Sequence, residues 1–163
     1  MGSAAAPQVA TEFFSLSCSH CAAFAREALP ELKAKWIAPG RLRWIYHDFP
    51  TDLAALEAAV VARCLPPERY DCFIEVLFAA QDRWAFGTGD VTDALWKLAG
   101  EAGMNRTTFD QAVADKELRD WVVGQETEAE QRWHVTATPS FVIKDKLYTG
   151  AMSASEFATI LGS

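Results

Sequence analysis

The sequence predicts an α/β domain that is interrupted by an all-helical insertion. Three observations support this fold class. Residues 1–52 contain a strand, a helix and a second strand in that order, which is the order of a βαβ unit with parallel strands. Residues 53–130 show only helical patterns, and residues 131–163 include two short strands and a closing helix. We expect the first and third segments to form one domain and the middle segment to be the insertion.

The composition is that of a globular protein. Half of the 163 residues are apolar, 12% are aromatic, and the formal net charge is −7. An acidic chain of this kind is a poor candidate for binding nucleic acid or anionic membranes. No uncharged apolar run approaches the roughly 18 residues of a membrane-spanning helix. The opening MGSAAAP has neither the basic nor the apolar region of a signal peptide.

The first half of the predicted domain is built from three elements. QVATEFFSL (8–16) is rich in β-forming residues and predicts a strand. Residues 21–37 have helical composition, although Pro30 should kink or split that helix. RLRWIYHDF (41–49) alternates in polarity and predicts a second strand, which Pro50 ends.

The remaining elements follow from the same kinds of pattern. Helices are expected over 51–65, 66–84, 89–104, 105–115 and 116–135, with caps and glycines between them. Residues 140–150 predict two strands, and 153–163 a closing helix capped by Ser153 or Ser155. We expect all six tryptophans in the core or in helix packing: Trp36, Trp44, Trp84, Trp96, Trp121 and Trp133.

Cys18 and Cys21 form a C-x-x-C motif at the break between the first strand and the first helix. A zinc site needs two further ligands, and the chain has no second C-x-x-C and no closely spaced histidine pair to provide them. A c-type haem needs histidine after the second cysteine, where this chain has Ala22. A third possibility is a pair of inert buried thiols. The polar dipeptide Ser19–His20 between the cysteines, at a break between strand and helix, argues against it. The spacing therefore favours a redox pair, with no metal and no cofactor.

A redox pair at this position has a physical mechanism. The helix begins at or near Cys18, so its free N–H groups and positive dipole end point at the Cys18 sulfur. They should stabilise the thiolate and lower its pKa. His20, in the same turn, can add a cation or a hydrogen-bond donor. Cys21 lies one turn further on and should be more buried, where it can attack a mixed disulfide formed on Cys18.

Two separated motifs resemble those of one family. APQVATEFFSLSCSHCAAF is similar to the active-site segment of DsbA-type thiol:disulfide oxidoreductases of the thioredoxin superfamily. VTATPSFVIKDKLYTGAMS resembles the cis-proline loop and following hairpin of that family, with Pro139 in the cis position. The order of the predicted elements is also that of the family. The resemblance implies a thioredoxin fold with an inserted helical subdomain.

The resemblance also implies roles for individual residues. Cys18 and Cys21 would be catalytic, with Ser19 and His20 as the dipeptide that tunes them. Thr138 and Pro139 would bind the substrate strand beside the sulfurs. Glu12 matches the buried acidic residue below the family's active site, where it would accept the proton of Cys21, and the alternative is an exposed glutamate at a sheet edge.

The expected activity is thiol–disulfide exchange on protein substrates, in the oxidising direction. The resemblance implies unfolded or reduced protein substrates, a DsbB-like membrane protein as reoxidant, and no nucleic acid. It also implies a monomer in the bacterial periplasm, after removal of a signal peptide that this chain does not contain. Two alternatives remain open: a reductase or isomerase on the same scaffold, and a non-catalytic metal-binding or chaperone module.

Cys64 and Cys72 flank LPPERYD, a predicted turn between two helices. Such a turn can bring two Cα atoms within the roughly 4.4–6.8 Å that a disulfide requires. Some relatives carry a second disulfide in the helical insertion. A structural disulfide and a pair of free thiols are both open on the sequence.

Overall fold

The computed structural model describes residues 1–162 and contains one four-stranded sheet. Its strands are β1 (Gln8–Phe14), β2 (Leu42–Asp48), β3 (Ser140–Ile143) and β4 (Lys146–Thr149), in the spatial order β2-β1-β3-β4. β1 and β2 are parallel, whereas β1 with β3 and β3 with β4 are antiparallel. The parallel pair is the predicted βαβ unit, and the antiparallel pair is the predicted closing hairpin.

The helix that joins β1 to β2 is broken, as Pro30 predicts. It consists of α1 (Ser19–Glu27), α2 (Leu29–Leu32) and one π-helical turn, Lys33–Ile37. Pro30 lies in the first turn of α2, where its missing N–H leaves no intrahelical bond unmade. The break therefore falls just before the proline.

Six helices lie between β2 and β3 in the described chain. They are α3 (Leu53–Arg63), α4 (Pro67–Ala79), α5 (Gln81–Trp84), α6 (Val91–Glu101), α7 (Arg106–Ala114) and α8 (Lys116–Trp133). The single helix expected over 66–84 is two helices, because Ala80 leaves the helical conformation at φ −107° and ψ 16°. α9 (Ala154–Leu161) follows the hairpin. This is the thioredoxin fold with a helical insertion that the sequence predicts.

The core on one face of the sheet is aromatic. Phe24 of α1, Trp44 of β2, Phe141 of β3 and Phe157 of α9 lie with ring centroids 4.8 to 6.0 Å apart. Offset and tilted rings at such distances stabilise a core beyond the area they bury. This cluster fixes α1, and with it the start of the helix that carries the cysteines, against the centre of the sheet.

Five of the six tryptophans are at least partly buried, and the sixth contacts a neighbouring helix at the surface. Trp36, Trp44 and Trp84 are buried and Trp96 and Trp133 are partly buried. Trp121 of α8, by contrast, is 47% exposed. Its ring lies 4.6 Å from the guanidinium carbon of Arg63, so a cation–π contact with α3 holds it at the surface.

Candidate active site

The two cysteines of the C-x-x-C motif occupy different environments at the start of α1. Cys18 is the N-cap residue, with an extended backbone at φ −73° and ψ 117°, and its sulfur is half-buried. Cys21 lies in the first turn and is completely buried. The free N–H groups of a helix start point toward the N-cap side chain. Only Cys18 can therefore meet a reactant from solvent, and it does so beside the positive end of the helix.

The pKa of the Cys18 thiol falls from 9.0 to about 5. The largest cause is a hydrogen bond from the Cys21 thiol, and the Thr138 side chain and the backbone amides of Cys21 and His20 add to it. Partial burial acts in the opposite direction. At neutral pH the thiolate is therefore the major form of reduced Cys18, and the thiolate is the nucleophilic form of cysteine.

The pKa of Cys21 moves the other way, to well above its usual range. Burial is the main cause, and the hydrogen bond to Cys18 and the charge of Glu12 add to it. Reduced Cys21 is thus protonated and can donate its S–H to the Cys18 thiolate. The pair therefore shares one proton, held by the inner sulfur.

Glu12 is buried below the cysteines rather than exposed at a sheet edge. It lies in the central part of β1, opposite Tyr46 of β2 and Phe141 of β3, and only 1% of it is exposed. Burial raises its pKa from 4.5 to about 8, a bond from the Trp44 indole N–H to Oε2 at 3.2 Å lowers it, and the Cys18 charge raises it. The carboxyl group is therefore mostly protonated at neutral pH, so it holds a proton near the pair.

The loop before β3 reaches the same place from the other side. The Thr138–Pro139 peptide bond is cis. The protonated Cys18 thiol donates to the Thr138 carbonyl oxygen at 3.3 Å. The loop is held by the Ser140 hydroxyl, which donates to Ala137 O at 2.7 Å, and by the Gly150 N–H, which donates to Pro139 O at 2.8 Å. Cys18 and Thr138, which are 120 positions apart in the sequence, are thus in direct contact at the site.

The Ser19–His20 dipeptide contributes through its backbone. Both side chains are exposed, and the group of residue 20 that bonds to the Cys18 sulfur is the backbone amide. The sequence suggests that the His20 ring could stabilise the thiolate. In the structure this ring is exposed, and the bond to the sulfur comes from the backbone amide. The helix start provides that contribution with its own N–H groups.

Cys64 and Cys72 are both unbonded here, and they have different neighbours. Cys64 ends α3, and burial and the charge of Asp115 raise its pKa. Cys72 is exposed and lines a surface groove between α4 and α6, together with Phe73 and Leu98. The sequence leaves open whether these two cysteines form a disulfide, and in the described residues both are free thiols.

Several polar groups of the site were missed by the sequence analysis. Trp44 binds Glu12, and the buried amide of Gln81 in α5 binds the backbone on both sides of Ser17. Asp52, the N-cap residue of α3, also accepts from the Ser17 hydroxyl at 2.6 Å. The Trp44 contact follows from strand register, which sequence patterns define only loosely. Nothing local in the sequence indicates Gln81.

Two further findings concern the described residues 1–162. No three histidine, cysteine or acidic side chains in that range come together as metal ligands. None of the helices in it is both long enough and apolar enough to cross a bilayer.

The fold and the cysteine geometry agree with comparisons to known proteins. The family model described as "Thioredoxin" matches residues 1–162, so the chain belongs to the thioredoxin family. Wolbachia pipientis alpha-DsbA1 is 29% identical, with a TM-score of 0.91 over 99% of this chain and 87% of that one. Chlamydia trachomatis DsbA is 20% identical and shares the fold, with a TM-score of 0.84 over 99% and 88% of the two chains.

Similarity in sequence alone identifies relatives of the same kind. A Rickettsia felis protein named "Putative protein-disulfide oxidoreductase" is 24% identical over 93% of this chain and 54% of its own length. A Rickettsia conorii protein with a corresponding name is 23% identical over the same shares. The chain thus spans about half the length of the curated relatives that it matches. The resemblance to DsbA-type proteins that the two motifs predict is confirmed.

Proposed function

We propose that the protein catalyses thiol–disulfide exchange on protein substrates and acts as a DsbA-like oxidase. The observation that carries this proposal is the asymmetry of the cysteine pair. Cys18 is half-exposed at a helix start with its pKa lowered to about 5, and Cys21 is buried and protonated. Stabilising the Cys18 thiolate favours the dithiol over the disulfide, which makes the disulfide a stronger oxidant.

The first step opens the Cys18–Cys21 disulfide. A substrate thiolate attacks Cys18 Sγ, a bond forms between the two sulfurs, and the bond to Cys21 breaks. Cys21 leaves as a thiolate in a buried site that disfavours its charge. The Glu12 carboxyl, with its pKa near 8, transfers its proton to Cys21.

The second step releases the oxidised substrate. A second substrate thiolate attacks the substrate sulfur of the mixed disulfide, and Cys18 leaves as its stable thiolate. Two electrons have then moved from the substrate thiols to the cysteine pair, which remains as a dithiol. Regeneration requires an oxidant that accepts these two electrons, and we assign this role to a DsbB-like membrane protein.

Thr138 and Pro139 are proposed to bind the substrate strand. Their loop adjoins the Cys18 sulfur through the Thr138 carbonyl. An oxidase of this kind needs an oxidising compartment in which its products persist. We therefore propose a periplasmic location and a monomer that meets unfolded or reduced proteins there.

Trapping of intermediates tests the proposal. Reduced, unfolded ribonuclease should gain disulfides with the oxidised protein, and Cys21→Ala, preloaded on Cys18 with a mixed disulfide of glutathione, should exchange it for a ribonuclease adduct. Cys18→Ala should form no such adduct and should not oxidise ribonuclease. Equal trapping by both variants, or no oxidation by the wild-type protein, would refute the assignment.

A disulfide isomerase is the second candidate. The resemblance supports it, because threonine before the cis-proline is common in isomerase-like and reductase-like members of the family, and Thr138 lies next to the reactive sulfur. An isomerase would be active in its reduced state and would restore activity to scrambled ribonuclease. Regain of ribonuclease activity with the reduced protein, in the absence of added oxidant, would favour this candidate over the oxidase.

A further inference from the structure

We propose that Gln81, in the helical insertion, is a positioning residue that sets the reactivity of Cys18 by holding the turn before α1. This inference rests on the proposed thiol–disulfide function. It goes beyond that function because it gives the insertion a part in the chemistry of the cysteine pair. Gln81 does not touch the sulfurs and acts through the backbone that carries them.

Gln81 makes two hydrogen bonds with one amide group. It is the first residue of α5, and only 7% of it is exposed. Its Nε2 donates to Leu16 O at 2.6 Å and to Cys18 O at 3.0 Å. A primary amide has two N–H donors, and both are used here. The side chain therefore joins two carbonyl groups of one turn to a helix 63 positions away in sequence.

Both carbonyl groups matter for the geometry of the reactive cysteine. Cys18 O also accepts the Ala22 N–H at 3.1 Å, which is the first hydrogen bond of α1. Leu16 O belongs to the turn that the Cys18 N–H closes onto Ser15 O at 3.0 Å. Gln81 thus fixes the turn and the first carbonyl of the helix relative to each other. That arrangement determines where the Cys18 sulfur lies with respect to the N–H groups of the helix start.

A second polar contact holds the same turn from the start of α3. The Ser17 hydroxyl donates to Asp52 Oδ2 at 2.6 Å, and Asp52 Oδ1 accepts the Ala55 N–H at 2.7 Å as the cap of α3. The Ser15 hydroxyl lies 2.9 Å from Thr51 Oγ1. The turn is therefore held by the segments that begin α3 and α5. Gln81 is the contact that bonds directly to the carbonyl group of Cys18.

The consequence for Cys18 has a definite sign. Without Gln81 the turn can relax, and the hydrogen bonds from the backbone amides and the Cys21 thiol to the Cys18 thiolate should weaken. Weaker hydrogen bonds destabilise the thiolate, so they raise the Cys18 pKa and favour the disulfide over the dithiol.

Gln81→Met tests the inference, because methionine keeps the length and helix propensity of glutamine and removes both donors. The readout is the thiolate absorbance of Cys18 against pH in the reduced protein. The Cys18 pKa should rise by about one pH unit, a roughly tenfold loss in acid dissociation constant. The equilibrium with glutathione should shift toward the Cys18–Cys21 disulfide by a similar factor.

Val122→Ala is the matched control. Val122 is fully buried in α8 and donates nothing to the turn, so its truncation lowers stability without removing a bond to the site. It should melt at a lower temperature and keep the Cys18 titration of the wild-type protein. If Gln81→Met does not fold, Gln81→Glu keeps the length and offers at most one donor, and it should also raise the Cys18 pKa.

An unchanged Cys18 titration in a folded Gln81 variant would overturn the inference, even if that variant were less stable than the wild-type protein. The result can be separated from a failure of the proposed function. If the wild-type protein fails to oxidise ribonuclease, the proposed function is wrong, whereas the titration needs no turnover and still tests Gln81.

Discussion

Cys18 and Cys21 show how two identical side chains, three positions apart at the start of a helix, can lie in different environments. One sulfur caps the helix at the surface, and the other lies in the core. Their pKa values consequently move in opposite directions. The C-x-x-C spacing suggests this asymmetry from the sequence, because a residue one turn into a helix that packs on a sheet faces the core.

Glu12 should make the stability of the protein fall as pH rises. Its pKa is raised from 4.5 to about 8 in the fold, so the folded state holds the proton more tightly than the unfolded chain does. The stability that the protonated Glu12 contributes is fully present below pH 4.5 and falls progressively as the pH rises to 8. The loss at pH 8 is on the order of 4 kcal/mol.

Glu12→Gln removes this dependence. Its amide oxygen can still accept the Trp44 N–H, and no charge forms in the core. The variant should melt several degrees above the wild-type protein at pH 8 and close to it at pH 4. Glu101→Gln, at an exposed position of α6, is the control and should show no such trend. A constant difference between Glu12→Gln and wild-type protein across this pH range would contradict the buried, protonated carboxyl.

His20→Ala should change the titration of Cys18 by less than about half a pH unit. The ring is exposed, where water and salt screen its charge. The backbone amide that bonds to the sulfur is kept in the variant. The thiolate absorbance of both proteins measures the effect, and a rise in the Cys18 pKa of one unit or more would show that the ring itself stabilises the thiolate.

At the scale of elements, α9 should depend strongly on its cap. Ser153 Oγ accepts the Glu156 N–H at 3.3 Å, and Glu156 Oε2 accepts the Ser153 N–H at 2.7 Å. This capping box fixes the helix that carries Phe157 into the aromatic core. Ser153→Ala should lower the free energy of unfolding by about 1 kcal/mol.

Thr159→Ala is the control for the cap, because it removes an exposed hydroxyl from the same helix. Its free energy of unfolding should stay within about 0.5 kcal/mol of the wild-type value. Denaturant unfolding of the three proteins gives the comparison. Equal losses in the two variants would mean that the capping box does not hold α9.

The helical insertion should keep two free thiols. Cys64 and Cys72 face different neighbours and are unbonded. Of the four cysteines, only Cys18 and Cys21 should pair when the protein is oxidised by glutathione disulfide. Alkylation after denaturation, followed by mass spectrometry, should label Cys64 and Cys72 alone. A protein with no alkylated cysteine would show that the insertion contains the disulfide that the sequence leaves open.

At the scale of the whole molecule, the sequence predicts the order of the elements well. Strand alternation, glycines, prolines and caps are local signals, and they place all four strands and the break at Pro30. The division of residues 66–84 at Ala80 has no such signal, because alanine favours a helix. Nothing local in the sequence indicates that the Trp121 ring lies at the surface against Arg63 of α3.

The candidate site is predictable only in part. Cys18, Cys21 and Pro139 lie in motifs that can be read locally, and the resemblance to DsbA-type proteins placed Glu12 below them. Gln81 and the Ser17–Asp52 contact join segments that are 35 or more positions apart. In the sequence, nothing distinguishes Gln81, which is buried and makes two hydrogen bonds, from an ordinary exposed polar residue on a helix. Such contacts exist only once the chain has folded.

The reduction potential of the Cys18–Cys21 pair, measured at equilibrium with glutathione, tests the central claim most directly. A thiolate stabilised at the start of α1 favours the dithiol, so we predict a potential above about −200 mV, toward the roughly −120 mV of strong oxidants. A potential near the roughly −270 mV of thioredoxin, or a pair that does not exchange with glutathione, would contradict an oxidase built on Cys18 and Cys21.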